Sequence, residues 1–340
     1  MSTLQNAITD IPGILVGHAQ DTAALTGCTV ILCESGAVAG VDQRGGAPGT
    51  RETDALRPLH LVERAHAILL SGGSAFGLDA ASGVMQYLAE KKIGFDTGVA
   101  VVPIVPAAVL FDLAIGQADI RPNAAMGYQA CKNASNLPPE QGNVGAGCGA
   151  TVGKLFGMKG AMKSGIGSAS MEIGGGVRVG AIIAVNAFGD VINPTNGQIL
   201  AGARPVQLGP FKIGQDRSFA DTLQTMRTFT GRSILNFASA QNTVIGVVAT
   251  NARLDKNEVN KVAQMAHNGL ALTIRPAHTM LDGDTLFALA TGQHKADVNI
   301  VGAFAAEVVA RAIIAAVQNA QAVPGYPAAS SYPAQEGKHD

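Results

Sequence analysis

Asn242 and Thr243 stand directly before a run of small and β-branched residues, "NTVIGVVAT" (242–250), in the interior of a 340-residue chain. A threonine hydroxyl inside a chain is a poor nucleophile when no base sits beside it. A threonine at a chain N-terminus is different. Its own α-amine, with an ordinary pKa of about 7.7–8.0, can take the hydroxyl proton near neutral pH. Cleavage of the Asn242–Thr243 bond would therefore put nucleophile and base on one residue and give products 1–242 and 243–340. Thr243 could make that cut itself, by an N-to-O acyl shift on the Asn242 carbonyl followed by hydrolysis of the ester. The route needs strain at the scissile bond and donors for its oxyanion. Taken alone, an Asn-Thr step before a strand reads more simply as a turn residue followed by a β-former.

A second stretch, "RPAHTMLDGDTLFALATG" (275–292), sets Asp282 and Asp284 on either side of Gly283, before another apolar run. Carboxylates two residues apart share one side of a strand or converge in a tight turn. There they can orient an ammonium or share a proton. An Asp-Gly hairpin turn is the plainer reading. His278 lies in the same stretch, where a lone histidine is more often structural. Lys154 falls in an apolar, glycine-rich segment, "CGATVGKL" (148–155), as a surface lysine after a turn or as a site group; spacing favours neither. That segment departs from a phosphate-binding loop, with Cys148 in place of its glycine and Leu155 in place of the hydroxyl residue that ligates Mg²⁺. "GGSAFG" (72–77) lacks the closing glycine of a nucleophile elbow and reads as a glycine turn with Ser74 capping a helix. The seven histidines give no H-E-x-x-H and no Cys/His spacing suited to zinc, so neither a structural nor a catalytic zinc is expected.

These groups need elements to hold them. Residues 27–34 and 37–46 read as two strands, 65–73 as a buried strand entering a glycine turn, and 74–92 as a helix. Residues 177–195 read as a hairpin about "AFG", and 243–250 as a strand. Asp255 with Glu258 forms a variant capping box for a helix whose Val259, Val262, Ala263, Ala266 and Leu270 share one face. Residues 302–318 read as a helix that is apolar on most sides and hence central. Paired strands with long helices between the groups favour α+β layers over βαβ winding.

At 47% hydrophobic and 14% charged, the chain can bury a large core. A net charge of -1 with no basic stripe argues against nucleic acid and against anionic membrane surfaces as partners. The N-terminus lacks a basic start followed by an apolar core, and no run of about 18 uninterrupted apolar residues occurs. A cytoplasmic location without a transmembrane helix is therefore expected. Cys28, Cys33, Cys131 and Cys148 form no C-x-x-C pair and are expected as reduced thiols. Residues 1–322 are expected as one domain, and the Pro-, Ala- and Ser-rich segment 323–340 as an extended tail.

The ordered set "DIPGILVGH", "GVDQRGGAPGTRETDAL", "LSGGSAFGLDAASGV", "GNVGAGCGATVGK", "AVNAFGDVI", "NTVIGVVATNARL" and "HTMLDGDTLFALATG" resembles the DmpA-like self-processing peptidases over roughly 8–320. That family comprises L-aminopeptidase/D-amidase-esterases, β-peptidyl aminopeptidases and nylon-oligomer endo-hydrolases. The resemblance implies an αββα sandwich and self-cleavage into two chains that stay together. It implies an N-terminal nucleophile at Thr243, no cofactor, a small peptide or amide substrate, and a homo-oligomer, a tetramer by preference. It places the acidic pair at Asp282 and Asp284, the oxyanion amide at Asn186, and the lysine of the nylon-hydrolase branch at Lys154. Two departures stand out. A family tyrosine aligns with Phe111, which has no hydroxyl. Aminopeptidase members are expected to offer an acid near that strand, yet residues 98–111 contain no Asp or Glu. Asp112 is the first, and alternation points it away from Phe111. Internal cleavage of oligoamides, acyl transfer through the same ester, a nucleotide-binding regulator and an uncut scaffold are the alternatives.

Overall fold

The computed structural model describes residues 4–208, 211–213, 219–228 and 242–332. Among them, nine strands join in one sheet: β1 (Leu15–Asp21), β2 (Thr26–Gln43), β3 (Thr50–Arg51), β4 (Arg64–Ser71), β5 (Ala107–Val109), β6 (Ile166–Glu172), β7 (Arg178–Asn186), β8 (Thr243–Arg253) and β9 (Thr285–Lys295). Their order is β6-β7-β8-β9-β2-β4-β5-β3, with β1 added beside β2. The β8–β9 and β4–β5 pairs are parallel and the others antiparallel. Four longer helices complete the layers: α1 (Ala80–Glu90), α2 (Ala124–Lys132), α3 (Lys256–Thr273) and α4 (Val298–Gln318).

Side-chain alternation assigns the layers. Along β8, Val244, Val248 and Ala252 pack with Val259, Val262 and Ala266 of α3 and with Val308, Ala312 and Ile313 of α4. The opposite face of β8, Ile245, Val247 and Ala249, packs with Ile31 of β2 and Ile68 and Leu70 of β4. The other face of β2 and β4, including Val30, Leu32, Ala67 and Leu69, packs on Ala80, Val84 and Leu88 of α1 and Ala130 of α2. The order is helix pair, sheet, sheet, helix pair, the αββα sandwich expected.

Strand β2 joins the two sheet layers. It was expected as two strands, and its pairing does shift between Leu32 and Ala37. Before the shift it lies against β1, and after it residues 38–43 pair with β9. Even-numbered residues face α1 and α2 in the first half, whereas Val38 packs toward α3 and α4 in the second. Gly40 lets α3 approach this second half, since a Cβ there would lie 2.7 Å from the Asn260 amide nitrogen.

Helix α3 begins as the sequence indicates, with a reciprocal Asp255–Glu258 capping box and the anticipated apolar face buried. Helix α4 begins at Val298 rather than 302. It alone among the described residues is long and apolar enough to cross a membrane, and its buried side packs on the sheet and α3. The helix expected over 74–92 is a 3-10 turn from Ser74 to Asp79 and α-helical only from Ala80; Ser74, at φ +54, makes no cap. The hairpin expected over 177–195 is not formed. β7 pairs with β6 and β8, while Asp190–Ile192 pairs with Ile199–Ala201 and Ile274–Arg275 in a separate small sheet. "AFG" turns the chain out of the large sheet instead of back along it. Of the segment expected as an extended tail, residues 323–332 lie on the body. Pro327 accepts a hydrogen bond from Lys163 N (2.9 Å), and the Tyr332 ring packs against Phe219 at a tilt of 44°. Residues 333–340 lie outside the described residues. All four cysteines are free and buried.

Candidate active site

Thr243 opens β8, Asn186 closes β7, and the antiparallel register sets them opposite each other. Both are buried, and by alternation both face the inter-sheet core rather than the helices. The Asn186 amide is pinned on both ends. Its Oδ1 accepts from Lys154 Nζ (2.6 Å) and Thr151 N (3.1 Å), and its Nδ2 donates to the Phe111 carbonyl (3.0 Å). Lys154 Nζ donates also to the Asn186 carbonyl (2.9 Å). Lys154 is therefore not a surface lysine; it is 6% exposed. Burial pushes its pKa down to about 7, opposed by the charges of Asp282 and Asp112.

The bond before Thr243 is held as closely. The Asn242 carbonyl accepts both from Thr243 Oγ1 and from Gly283 N (2.9 Å). Asn242 bridges to Asp282 in parallel fashion, and its Nδ2 donates to the Leu281 carbonyl (3.2 Å). Gly283 has to be glycine, because a Cβ there would lie 2.5 Å from the Ala47 carbonyl oxygen and 2.8 Å from Thr243 Oγ1. A hydroxyl and an N–H thus converge on one peptide carbonyl from different parts of the chain.

Asp282 and Asp284 flank that N–H and serve different partners. Asp282 accepts from Phe188 N (3.2 Å), Thr279 N (3.2 Å) and Thr279 Oγ1. Burial, then the neighbouring Asp284 carboxylate, raises its pKa to about 6. Asp284 Oδ1 accepts from Val244 N (2.9 Å), immediately after Thr243, and its Oδ2 accepts from His278. The loop after β2 braces the pair, with Arg44 N on the Asp284 carbonyl and Ala47 N on the Asp282 carbonyl, each at 2.9 Å.

The fold therefore gathers Asn242, Thr243, Asn186, Lys154, Asp282 and Asp284 in one place. Phe111 joins them through its backbone carbonyl. Asp112 points elsewhere, accepting from Gly73 N (2.6 Å) and Thr26 Oγ1 (2.7 Å). Sequence reasoning missed the Gly283 N–H, Thr279, Thr151 and the contact of His278 with Asp284. The glycine between two aspartates is the one signal that could have pointed to that N–H. Thr151 carries none, because its role rests on the approach of distant segments, whereas Thr279 meets Asp282 within one local turn, three residues apart. Among the described residues, no group of three or more His, Cys, Asp or Glu side chains is placed to hold a metal.

The architecture is shared with solved structures. The L-aminopeptidase D-Ala-esterase/amidase from Ochrobactrum anthropi, described as a variant of the Ntn hydrolase fold, superposes with a TM-score of 0.69 at 20% identity, covering 96% of this chain and 90% of that one. A Burkholderia sp. beta-aminopeptidase gives 0.68 at 20% identity over 94% and 88%. The fold is that of the Ntn hydrolases. Residues 6–330 match peptidase family S58, and the chain belongs to that family, whose members hydrolyse amide bonds. Among curated relatives, an uncharacterised aminopeptidase of Mycobacterium tuberculosis is 43% identical over 349 aligned positions, 95% of this chain and 96% of the relative. A 6-aminohexanoate-oligomer endohydrolase of Kocuria sp. is 31% identical over 325, covering 91% and 85%.

Proposed function

We propose that the protein is a self-processing amidohydrolase whose nucleophile is Thr243, freed by cleavage of the Asn242–Thr243 bond. The observation that carries this reading is the Asn242 carbonyl, which accepts from Thr243 Oγ1 while the Gly283 N–H holds the same oxygen. Attack by Oγ1 on that carbon moves negative charge onto an oxygen already met by a backbone donor. Collapse passes the acyl group from the Thr243 nitrogen to Oγ1, and water releases Asn242 as a carboxylate. The freed α-amine then serves as base toward its own hydroxyl, and afterwards as acid toward the leaving amine of a substrate. Asp282 and Asp284 orient that amine. Asn186 and Lys154 stabilise the substrate oxyanion or hold the substrate.

Peptides and small amides with a free amino end are the leading substrate class, in keeping with aminopeptidase relatives at 43% identity. One observation favours internal amide bonds instead. Asp112, the first carboxylate after the acid-free stretch 98–111, is turned onto Gly73 and Thr26 rather than toward Asn186.

Denaturing intact-mass analysis of the purified protein beside Thr243→Ala tests the nucleophile. The expected result is two wild-type species, 1–242 and 243–340, and one uncut species in the variant. A wild type that stays at full length on prolonged incubation and hydrolyses no amide would remove the reading.

A further inference from the structure

His278 was expected to be a structural histidine, but its surroundings give it a more specific task. Its backbone N–H (3.0 Å) and its ring Nδ1 (2.9 Å) both meet one oxygen, Asp284 Oδ2. The residue sits at φ +58, a left-handed conformation that side chains with a Cβ seldom adopt. That unfavourable backbone accompanies the convergence of two donors on a single carboxylate oxygen. The other oxygen is left to Val244 N, one residue past the proposed nucleophile. The second ring nitrogen, Nε2, is buried and has no hydrogen-bond partner among the described residues, so the ring's polar contact is spent on Asp284 alone.

The groups facing His278 leave that contact undisturbed. The His267 ring of α3 meets it edge-on at 4.9 Å between centroids, and His267 Nε2 bonds the Asp42 carbonyl (2.9 Å). Burial pushes the His267 pKa down to about 4, so it brings no charge near neutral pH. The Asp42 carboxylate is paired with Arg44 at 2.7 Å. Asp282 is occupied by Thr279 and Phe188 N. Asp284 is the carboxylate within hydrogen-bonding reach of the His278 ring.

We infer that His278 is a positioning residue, clamping Asp284 through two donors so that this carboxylate faces the Thr243–Val244 backbone. The inference rests on the self-processing reading above and names the part that aims one of its carboxylates. It acts on the precursor before any substrate is bound, so self-cleavage reports it without knowledge of the substrate.

Asparagine and aspartate nearly share a shape, and both tolerate the left-handed backbone. His278→Asn keeps an N–H donor where Nδ1 stands, and His278→Asp puts a repelling oxygen there. The full chain and both variants are followed by denaturing intact mass near neutral pH, with melting temperature as the check on folding. His278→Asn is expected to be cut as completely as wild type. His278→Asp is expected to accumulate uncut chain that converts at least about tenfold more slowly, the size of a lost charge-assisted hydrogen bond. Equal processing in both variants overturns the inference, and so does equal failure of both folded variants. Should His278→Asp not fold, His278→Ala removes the donor without adding charge, and a wild-type rate there overturns the inference equally. A wild type that is never cut is a failure of the self-processing reading itself, seen before any His278 variant is made, and it removes both.

Discussion

Lys154 and Lys163 are buried ammonium groups held by oxygens. Lys163 Nζ donates to the carbonyls of Gly147, Ala150 and Ser164, and Lys154 Nζ to the two oxygens of Asn186. Burial lowers each to about 7 from an ordinary value of 10.5. Between pH 10.5 and 7 the unfolded chain binds protons that the folded chain does not, so stability falls as pH drops through that window and levels off below it. Asp282, raised to about 6 from 3.8, acts in a lower window. The folded state there holds the extra proton, and stability falls as pH rises from 3.8 to 6. Lys154→Met should flatten the alkaline slope by up to about 1.4 kcal/mol per pH unit and, by removing the positive charge that acts on Asp282, extend the acid window to higher pH. Denaturant unfolding across both windows checks this. An unchanged alkaline slope would mean that Lys154 keeps its proton in the fold.

Elements follow from the sequence where periodicity is local, and depart from it where long-range approaches decide. Asp255 and Glu258 announced α3, and Asp255→Ala should cost about 1 kcal/mol, read as a lower unfolding midpoint with unchanged slope. Helices α1 and α2 illustrate the opposite case. A Cβ on Gly83 would collide with the Ala124 carbonyl oxygen, and one on Gly127 with that of Ala80. The two helices therefore meet backbone to backbone. Gly83→Ala should destabilise by about 1–3 kcal/mol, because the helices must separate to admit a methyl group. A variant of wild-type stability would show that the pair can slide apart at no cost. The same contrast governed the site. Thr243, Asp282 and Asp284 stood out by residue type and spacing, Lys154 stood out by its apolar setting with its role left open, and Asn186 was identified only by resemblance. The facing of Asn186 and Thr243 is a strand register, set by residues far apart in sequence. The hairpin expected about "AFG" failed for a related reason. Alternation marks a strand without naming its partner, and Asp190 leaves the large sheet to accept from Ala203 N (2.7 Å) and Thr222 N (2.7 Å).

The whole molecule explains how a cut at Asn242–Thr243 could leave one folded body. β8 and β9 both lie after the cut, and they pair with each other in the middle of the sheet. Their outer neighbours, β7 and β2, lie before it. The second product would thus form the two strands that join the halves of the first, and its helices α3 and α4 cover one outer face. Removing β8 and β9 would expose Val244, Ile245, Val247, Phe287 and Leu289 on the two faces of the sheet and leave two strand edges unpaired. Cleavage costs none of that burial, because it breaks a single bond at the start of β8. The products should therefore elute together in native size-exclusion chromatography and separate only in denaturant. The cut protein and uncut Thr243→Ala should melt within a few degrees of each other, since the broken bond lies at a strand end and not within a packed element. A 243–340 product that leaves the column by itself under native conditions would contradict the interleaved sheet. A large fall in melting temperature on cleavage would place strain relief or chain connectivity, rather than burial, in control of the fold.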